Sequence, residues 1–169
     1  MPPPSAQDTV RTQLIALYPA MRRFAAVSAD RDLDPDEIVQ ECFARVFSRW
    51  QYGPGPDDMG AYVRRTIINL IANERRTRSR SRARALEPTA ESHEPDYPSH
   101  LAAVLDEVDP LDRALLFLVD VEGQSTAEAA SAVGLTGVAA RARLSRARRR
   151  LRAVVQPSGC NREEVRGSE

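Results

Sequence analysis

Arginine is the residue through which this chain can do chemistry. All 24 of its basic residues are Arg and none is Lys. A guanidinium can donate two parallel hydrogen bonds to a phosphate or to the edge of a guanine, which a lysine ammonium cannot do. A GC-rich genome is the simplest reason for choosing Arg over Lys, yet the choice keeps its physical consequence. The arginines are clustered. Residues 64–84 carry eight Arg and one Glu, a net of +7, and residues 141–152 carry seven Arg and no acid, again +7. The acids gather elsewhere: residues 30–41 hold six acids and one Arg, a net of −5, and residues 85–112 hold eight acids and no Arg, a net of −8. With 24 acids against 24 bases the formal charge is zero, which conceals this segregation. Such a pattern points to a polyanionic partner more strongly than the isoelectric point does.

Other chemistries find little support. There is no nucleophile–base pair, no Gly-rich phosphate loop and no cluster with metal-ligand spacing, so no catalytic residue, cofactor or metal is expected. The two histidines, His93 and His100, are not spaced with a cysteine as zinc ligands would be. Cys42 and Cys160 are far apart and read as free thiols, Cys42 as a small apolar filler and Cys160 as part of the tail. A redox switch at these thiols is the sharper and less favoured reading. The chain has 169 residues, 42% hydrophobic and 28% charged, an ordinary balance for one domain or two small ones. No apolar run approaches the roughly 18 residues of a membrane span, and the first residues carry no secretory pattern, so a cytoplasmic location without membrane insertion is expected.

The elements that must position these arginines are helices. The apolar spacing is helical almost throughout, and no strand pattern emerges. A first helix is expected from about Asp8 to Val27, with Val10, Leu14, Leu17, Met21 and Phe24 on one stripe and Pro19 bending or splitting it. A second opens with Asp34-Pro35-Asp36-Glu37, an acidic cap with proline at the first helical position, and buries Ile38, Val39, Cys42, Phe43, Val46, Phe47 and Trp50. Residues 53–60, GPGPDDMG, read as a loop. The third helix has Met59, Tyr62, Val63, Thr66, Ile67, Leu70 and Ile71 inward, and Arg65, Asn69, Asn73 and Arg76 on the opposite face. Residues 85–98, rich in Pro and acid, read as a linker. Beyond it, Leu101, Val104, Leu105 and Val108 suggest a short helix, and Asp109-Pro110 starts another with Leu111, Leu115, Leu118 and Val119 inward. Ser125-Thr126-Ala127-Glu128 is a capping box for a helix stopping at Gly134, and Thr136 caps a last one from Gly137 to Val155. The expected fold is all-α: two small helical domains, 8–84 and 99–155, joined by a flexible acidic linker, with a disordered tail at 156–169.

Residues 125–147 have helix-turn-helix proportions, a short helix, a turn on Gly134-Leu135-Thr136 and a longer helix. Ala130, Val133, Leu135, Ala140, Leu144 and Ala147 can form the core, leaving Arg141, Arg143 and Arg146 to reach DNA. The segment DVEGQSTAEAASAVGLTGVAARARLSRARRRLR, residues 120–152, resembles the promoter-reading C-terminal domain of bacterial sigma factors of the extracytoplasmic-function (ECF) group. The resemblance implies that Thr136, Arg141, Ala142, Arg143, Ser145, Arg146 and Arg149 meet the minus-thirty-five element.

The first half carries the same resemblance. DPDEIVQECFARVFSRW, residues 34–50, is similar to the sigma segment that binds the clamp helices of the RNA polymerase large subunit. That implies contacts from Asp36, Glu37, Gln40, Glu41 and Arg45. AYVRRTIINLIANERR, residues 61–76, resembles the promoter-melting helix of the family. Arg65, Asn69, Asn73 and Arg76 take its polar positions, and Asp58, Met59 and Tyr62 fall where a flipped minus-ten base is held. Trp50 and Tyr62 are aromatic candidates nearby, and both read first as core residues. The physical logic is that melting without nucleotide hydrolysis requires binding energy available only to the opened strand. The basic run RRTRSRSRAR, residues 75–84, can grip phosphate.

The resemblance implies a dissociable polymerase subunit that binds core enzyme and promoter DNA, duplex and single-stranded, and often an anti-sigma factor, with no covalent chemistry of its own. A self-sufficient helix-turn-helix regulator would account for residues 125–152 alone, and an Arg-rich RNA-binding protein for 75–84 alone. The acidic stretch 87–112 can be a solubilising tether or can fold back on the basic helices and inhibit them.

Overall fold

A computed structural model of the chain describes residues 6–84, 105 and 107–155. The described residues are helical: α1 (Ala6–Ser28), α2 (Pro35–Trp50), α3 (Met59–Arg84), α4 (Pro110–Leu116), a π-helical turn (Phe117–Val121), α5 (Thr126–Val133) and α6 (Gly137–Val155). The expected linker, the residues 101 and 104 of the short helix before Asp109, most of the acidic stretch and the tail lie outside the described residues. So does Cys160.

Local chemistry sets the helix ends. The Asp34 carboxylate accepts from the Asp36 amide at 2.8 Å and Pro35 occupies the first helical position of α2. Asp58 accepts from the Ala61 amide at 2.8 Å and starts α3. Met59 and Gly60 therefore lie in the first turn of α3, with Met59 on the expected inward stripe, and the loop expected for 53–60 ends at Asp58. Asp109 accepts from the Leu111 amide at 3.0 Å ahead of Pro110 in α4. The capping box of α5 is reciprocal: Glu128 N–H donates to Ser125 Oγ at 3.2 Å, and Ser125 N–H donates to Glu128 Oε2 at 2.8 Å. Gly134 ends α5 at φ +76, a left-handed conformation that a Cβ disfavours.

Pro19 does not split α1, which runs unbroken from Ala6 to Ser28. Pro19 and Ile15, whose carbonyl the proline deprives of its helical donor, both lie on the exposed side. Water can satisfy that carbonyl there, so the helix continues through the proline.

The two halves do not stand apart. One contiguous core runs from Val10 of α1 through Ile67 and Ile71 of α3 to Leu115 and Leu118 of α4 and Ala140, Leu144 and Ala147 of α6. The centre is α4 with its π turn, where Ala114, Leu115, Leu116, Phe117 and Leu118 are all buried. A helix that is apolar on every side is covered on every side. Phe117 meets Phe24 of α1 with ring centroids 6.3 Å apart. On α3, Ile68 is buried although it lies off the stripe formed by Val63, Ile67, Leu70 and Ile71. Along the same row as Ile68, Arg64 pairs with Glu122 at 3.1 Å and Arg75 pairs with Asp109 at 3.3 Å. Arg113, only 1% exposed, pairs with Asp30 at 2.6 Å, and Arg75 reaches the same carboxylate at 2.9 Å. The two helical domains meet in a closed arrangement sealed by apolar packing and cross-half ion pairs.

Candidate nucleic-acid interface

Helix α6 divides its arginines between two tasks. Ala140, Leu144 and Ala147 face inward. Val138, Ala142, Ser145, Arg146 and Arg149 are exposed and share the outward side, by the 3.6-residue period. Arg141 is exposed on a flank, and Thr136 caps the helix, its Oγ1 accepting from the Ala139 amide at 3.3 Å. Arg143 does not join them. It turns to α4, donating to Asp112 Oδ1 at 2.6 Å and lying 3.6 Å from Asp109 Oδ1. Arg148 is likewise tied, to Asp120 at 2.5 Å. A shallow recess beside the helix is lined by Thr126, Arg141, Leu144, Ser145, Arg148 and Arg152. Its cationic rim suits a run of phosphates.

Helix α3 presents Arg65, Asn69, Asn73 and Arg76 on its exposed side, as the four–four–three spacing requires. Arg76 donates to Asn73, which holds the two polar heads together. Arg65 lies against the helix-turn-helix: a Cβ placed on Gly134 would come 2.8 Å from its Nε. The downstream candidates separate into two kinds. Asp58 is exposed and serves as the cap of α3. Met59 is buried, with its methyl group 3.3 Å from the place a Cβ on Gly55 would take. Tyr62 is half-buried and meets Trp50 edge-on, centroids 6.0 Å apart at 85°. In the 75–84 run, Arg75 is held by Asp30 and Asp109, and Arg78 by Asp32 at 2.9 Å and Glu74 at 3.0 Å. Those two guanidiniums are committed to the fold.

On α2, Glu37, Gln40, Glu41 and Arg45 lie exposed along one side, with Arg45 bridging to Glu41 at 2.6 Å. Asp36 is turned to α1 instead. It takes a hydrogen bond from the Tyr18 hydroxyl and pairs with Arg22 at 3.1 Å. That hydrogen bond raises the Tyr18 pKa, because the phenolate could not donate it. Cys42 is buried beneath this helix with its thiol 3.6 Å from the Val63 carbonyl oxygen, and burial pushes its pKa up to about 12.

Sequence reasoning missed three structural roles here: Asp58 as a cap, and Asp112 and Asp120 as anchors for α6. The first had a signal, an aspartate three residues before Ala61. The anchors had none, since they face α6 only through the tertiary packing of α4.

Among the described residues no group of His, Cys, Asp or Glu could hold a metal ion, and no helix is long and apolar enough to cross a membrane. The fold and these faces define an all-helical, two-part protein with a helix-turn-helix and two separate cationic surfaces. The sigma-70 region 2 family matches residues 6–81, and the sigma-70 region 4 family matches residues 100–151. The chain is 31% identical over 162 residues to the ECF RNA polymerase sigma factor SigE of Mycolicibacterium smegmatis, covering 88% of this chain and 61% of that relative. It is 30% identical over 158 residues to the RNA polymerase sigma-E factor of Streptomyces coelicolor, covering 86% of this chain and 83% of that one. The sigma factor RpoE of Bartonella quintana, solved with the anti-sigma factor NepR, superposes with a TM-score of 0.63 at 19% identity, covering 88% of this chain and 98% of that one. CnrH, solved with the cytosolic domain of CnrY, gives a TM-score of 0.63 at 22% identity, covering 89% of each chain. The chain belongs to the sigma-70 family of RNA polymerase sigma factors, in the ECF group.

Proposed function

We propose that this chain binds RNA polymerase core, directs it to promoters and divides promoter reading between its halves. Helix α6 enters the major groove of the minus-thirty-five element, with Arg141, Ala142, Ser145, Arg146 and Arg149 toward the bases and backbone. Helix α3 holds the opened strand of the minus-ten element through Arg65, Asn69, Asn73 and Arg76. Asp58 and Tyr62 at its start border the place for a flipped base. Glu37, Gln40, Glu41 and Arg45 of α2 meet the clamp helices of the large subunit. Arg143 and Asp36 act indirectly, by holding α6 on α4 and α2 on α1. The chain does no covalent chemistry itself. RpoE of Bartonella quintana, similar in fold, was solved with an anti-sigma factor, and an anti-sigma factor is the matching regulator for this chain.

The observation that carries this reading is the pairing of two faces in one chain. One is an acid-free Arg/Ser surface on a helix-turn-helix, and the other is a polar Arg/Asn surface on a region 2 helix. Mixing the full chain with sigma-free core polymerase tests it. Co-elution in gel filtration and initiation at discrete sites on genomic DNA are expected. Tight sequence-specific duplex binding by the free chain, with no polymerase association, would contradict it.

A further inference from the structure

We infer that Val138 contacts the methyl group of a thymine in the upstream promoter element and fixes the base preferred at that position. The inference rests on α6 being the groove-reading helix. Val138 is 70% exposed on the first turn of α6. Among the described residues it is the one large hydrophobic side chain of α6 that stands exposed. It precedes Ala142, Ser145 and Arg149 by four, seven and eleven residues, so it lies on the same outward face, at the N-terminal end.

A single exposed valine is ordinary on a protein surface. This one stands at a surface position in a helix, where a β-branched residue is a poorer choice than Ala, Glu or Arg. At 70% exposed, little of it is covered in the free chain. In a helix-turn-helix the first residues of the second helix are those that reach base edges. Thymine alone presents a methyl group in the major groove. Amino and carbonyl groups set against the valine would lose hydrogen bonds to water and gain none. Valine is also stiff about χ1, so little rotamer freedom is lost on contact. The flanking cations, Arg141 and Arg149, supply the attraction to the backbone that brings this apolar side chain into the groove.

The test uses holoenzyme assembled from core polymerase and the full chain. The probe is a promoter fragment found by mapping the transcripts this holoenzyme starts on genomic DNA. Each thymine of its upstream element is replaced in turn by deoxyuridine, which removes only the methyl group. One replacement should weaken binding about three- to fourfold, the worth of burying one methyl group. Holoenzyme carrying Val138→Ala should be indifferent at that same position, with the melting temperature of the free chain no lower than that of the parent. The inference falls if no uracil step matters, or if the sensitive step stays as sensitive with Val138→Ala. Upstream protection in a footprint with either result would sink the role of Val138 alone. A holoenzyme that starts no transcripts would sink the function proposed above and this inference with it.

Discussion

Arg143 and Arg149 sit six residues apart on one helix and do different work. Arg149 points outward, whereas Arg143 bridges α6 to Asp112 of α4. Arg149→Ala should therefore weaken duplex binding by holoenzyme evenly across sequences and lower the salt slope of log K by about one. Arg143→Ala should leave that slope unchanged and instead lower the melting temperature, because Asp112 is buried and would lose a charged partner. Equal salt slopes for the two variants would contradict this division. Cys42 gives a second check at this scale. Burial raises its thiol pKa to about 12, above the roughly 8.5 of an unfolded cysteine. The neutral thiol is thus favoured by folding, so its contribution is complete below that unfolded value and declines as pH climbs toward 12. Iodoacetamide at pH 8 should label Cys42 only after denaturation, and rapid native labelling would refute the burial. The outward residues were legible from spacing because exposure follows helical period. Arg143 and Asp36 were not, because an arginine or aspartate on a helix flank can face solvent or a neighbouring helix, and only tertiary packing decides.

At the scale of elements, the helix ends set where α5 stops and α6 begins. The Ser125–Glu128 capping box fixes the start of α5, and Gly134 turns the chain into α6. Hydrogen bonds from Ser125 hold the Glu128 carboxyl below its ordinary pKa, so that contribution is present at neutral pH and is lost as pH falls through the lowered value. Ser125→Ala should destabilise the fold by about 1 kcal/mol, measurable by urea denaturation at pH 7. Gly134→Ala should cost about 1–2 kcal/mol through its left-handed backbone. It should also push on Arg65, whose Nε would lie 2.8 Å from the new methyl group. Asp57→Ala, an exposed control in the same protein, should change neither value. Both caps and the turn were readable from residue type, since Ser-x-x-Glu and a lone Gly each have one dominant local use. The continuity of α1 through Pro19 was not, because it depends on which side of the helix faces water.

The whole molecule is closed as it stands, and the proposed reading of two promoter elements, one by each half, requires it to open. The minus-ten and minus-thirty-five elements are about 25 base pairs apart, or about 85 Å at 3.4 Å per pair. A packed body of about 130 residues has a radius of gyration of only about 14 Å. The chain between Arg84 and Leu105 can span at most about 70 Å, enough to let the halves separate without breaking either. The seal between them consists of Phe24 on Phe117 and the ion pairs of Arg64, Arg75 and Arg113. Asp30→Asn should weaken it, since Asp30 receives both Arg75 and Arg113. With Cys160→Ser and fluorophores on cysteines placed at the exposed positions Arg23 and Ser131, energy transfer should fall in this variant and on addition of core polymerase. Unchanged transfer in both would contradict the opening. The hidden seal was partly readable: the run Ala114–Leu118 is apolar on all sides, which a helix covering a single small core does not need. Its ion pairs were beyond reach, because they join residues more than thirty positions apart, such as Arg75 with Asp109 and Asp30 with Arg113.

The most direct test of the account places a photo-crosslinking residue at Asn69 of α3 in one holoenzyme and at Ala142 of α6 in another, on the same promoter. Two sites about 25 base pairs apart are expected, the Asn69 crosslink on an unpaired strand and the Ala142 crosslink on upstream duplex. Crosslinks at one shared locus, or an Asn69 crosslink confined to duplex DNA, would contradict it.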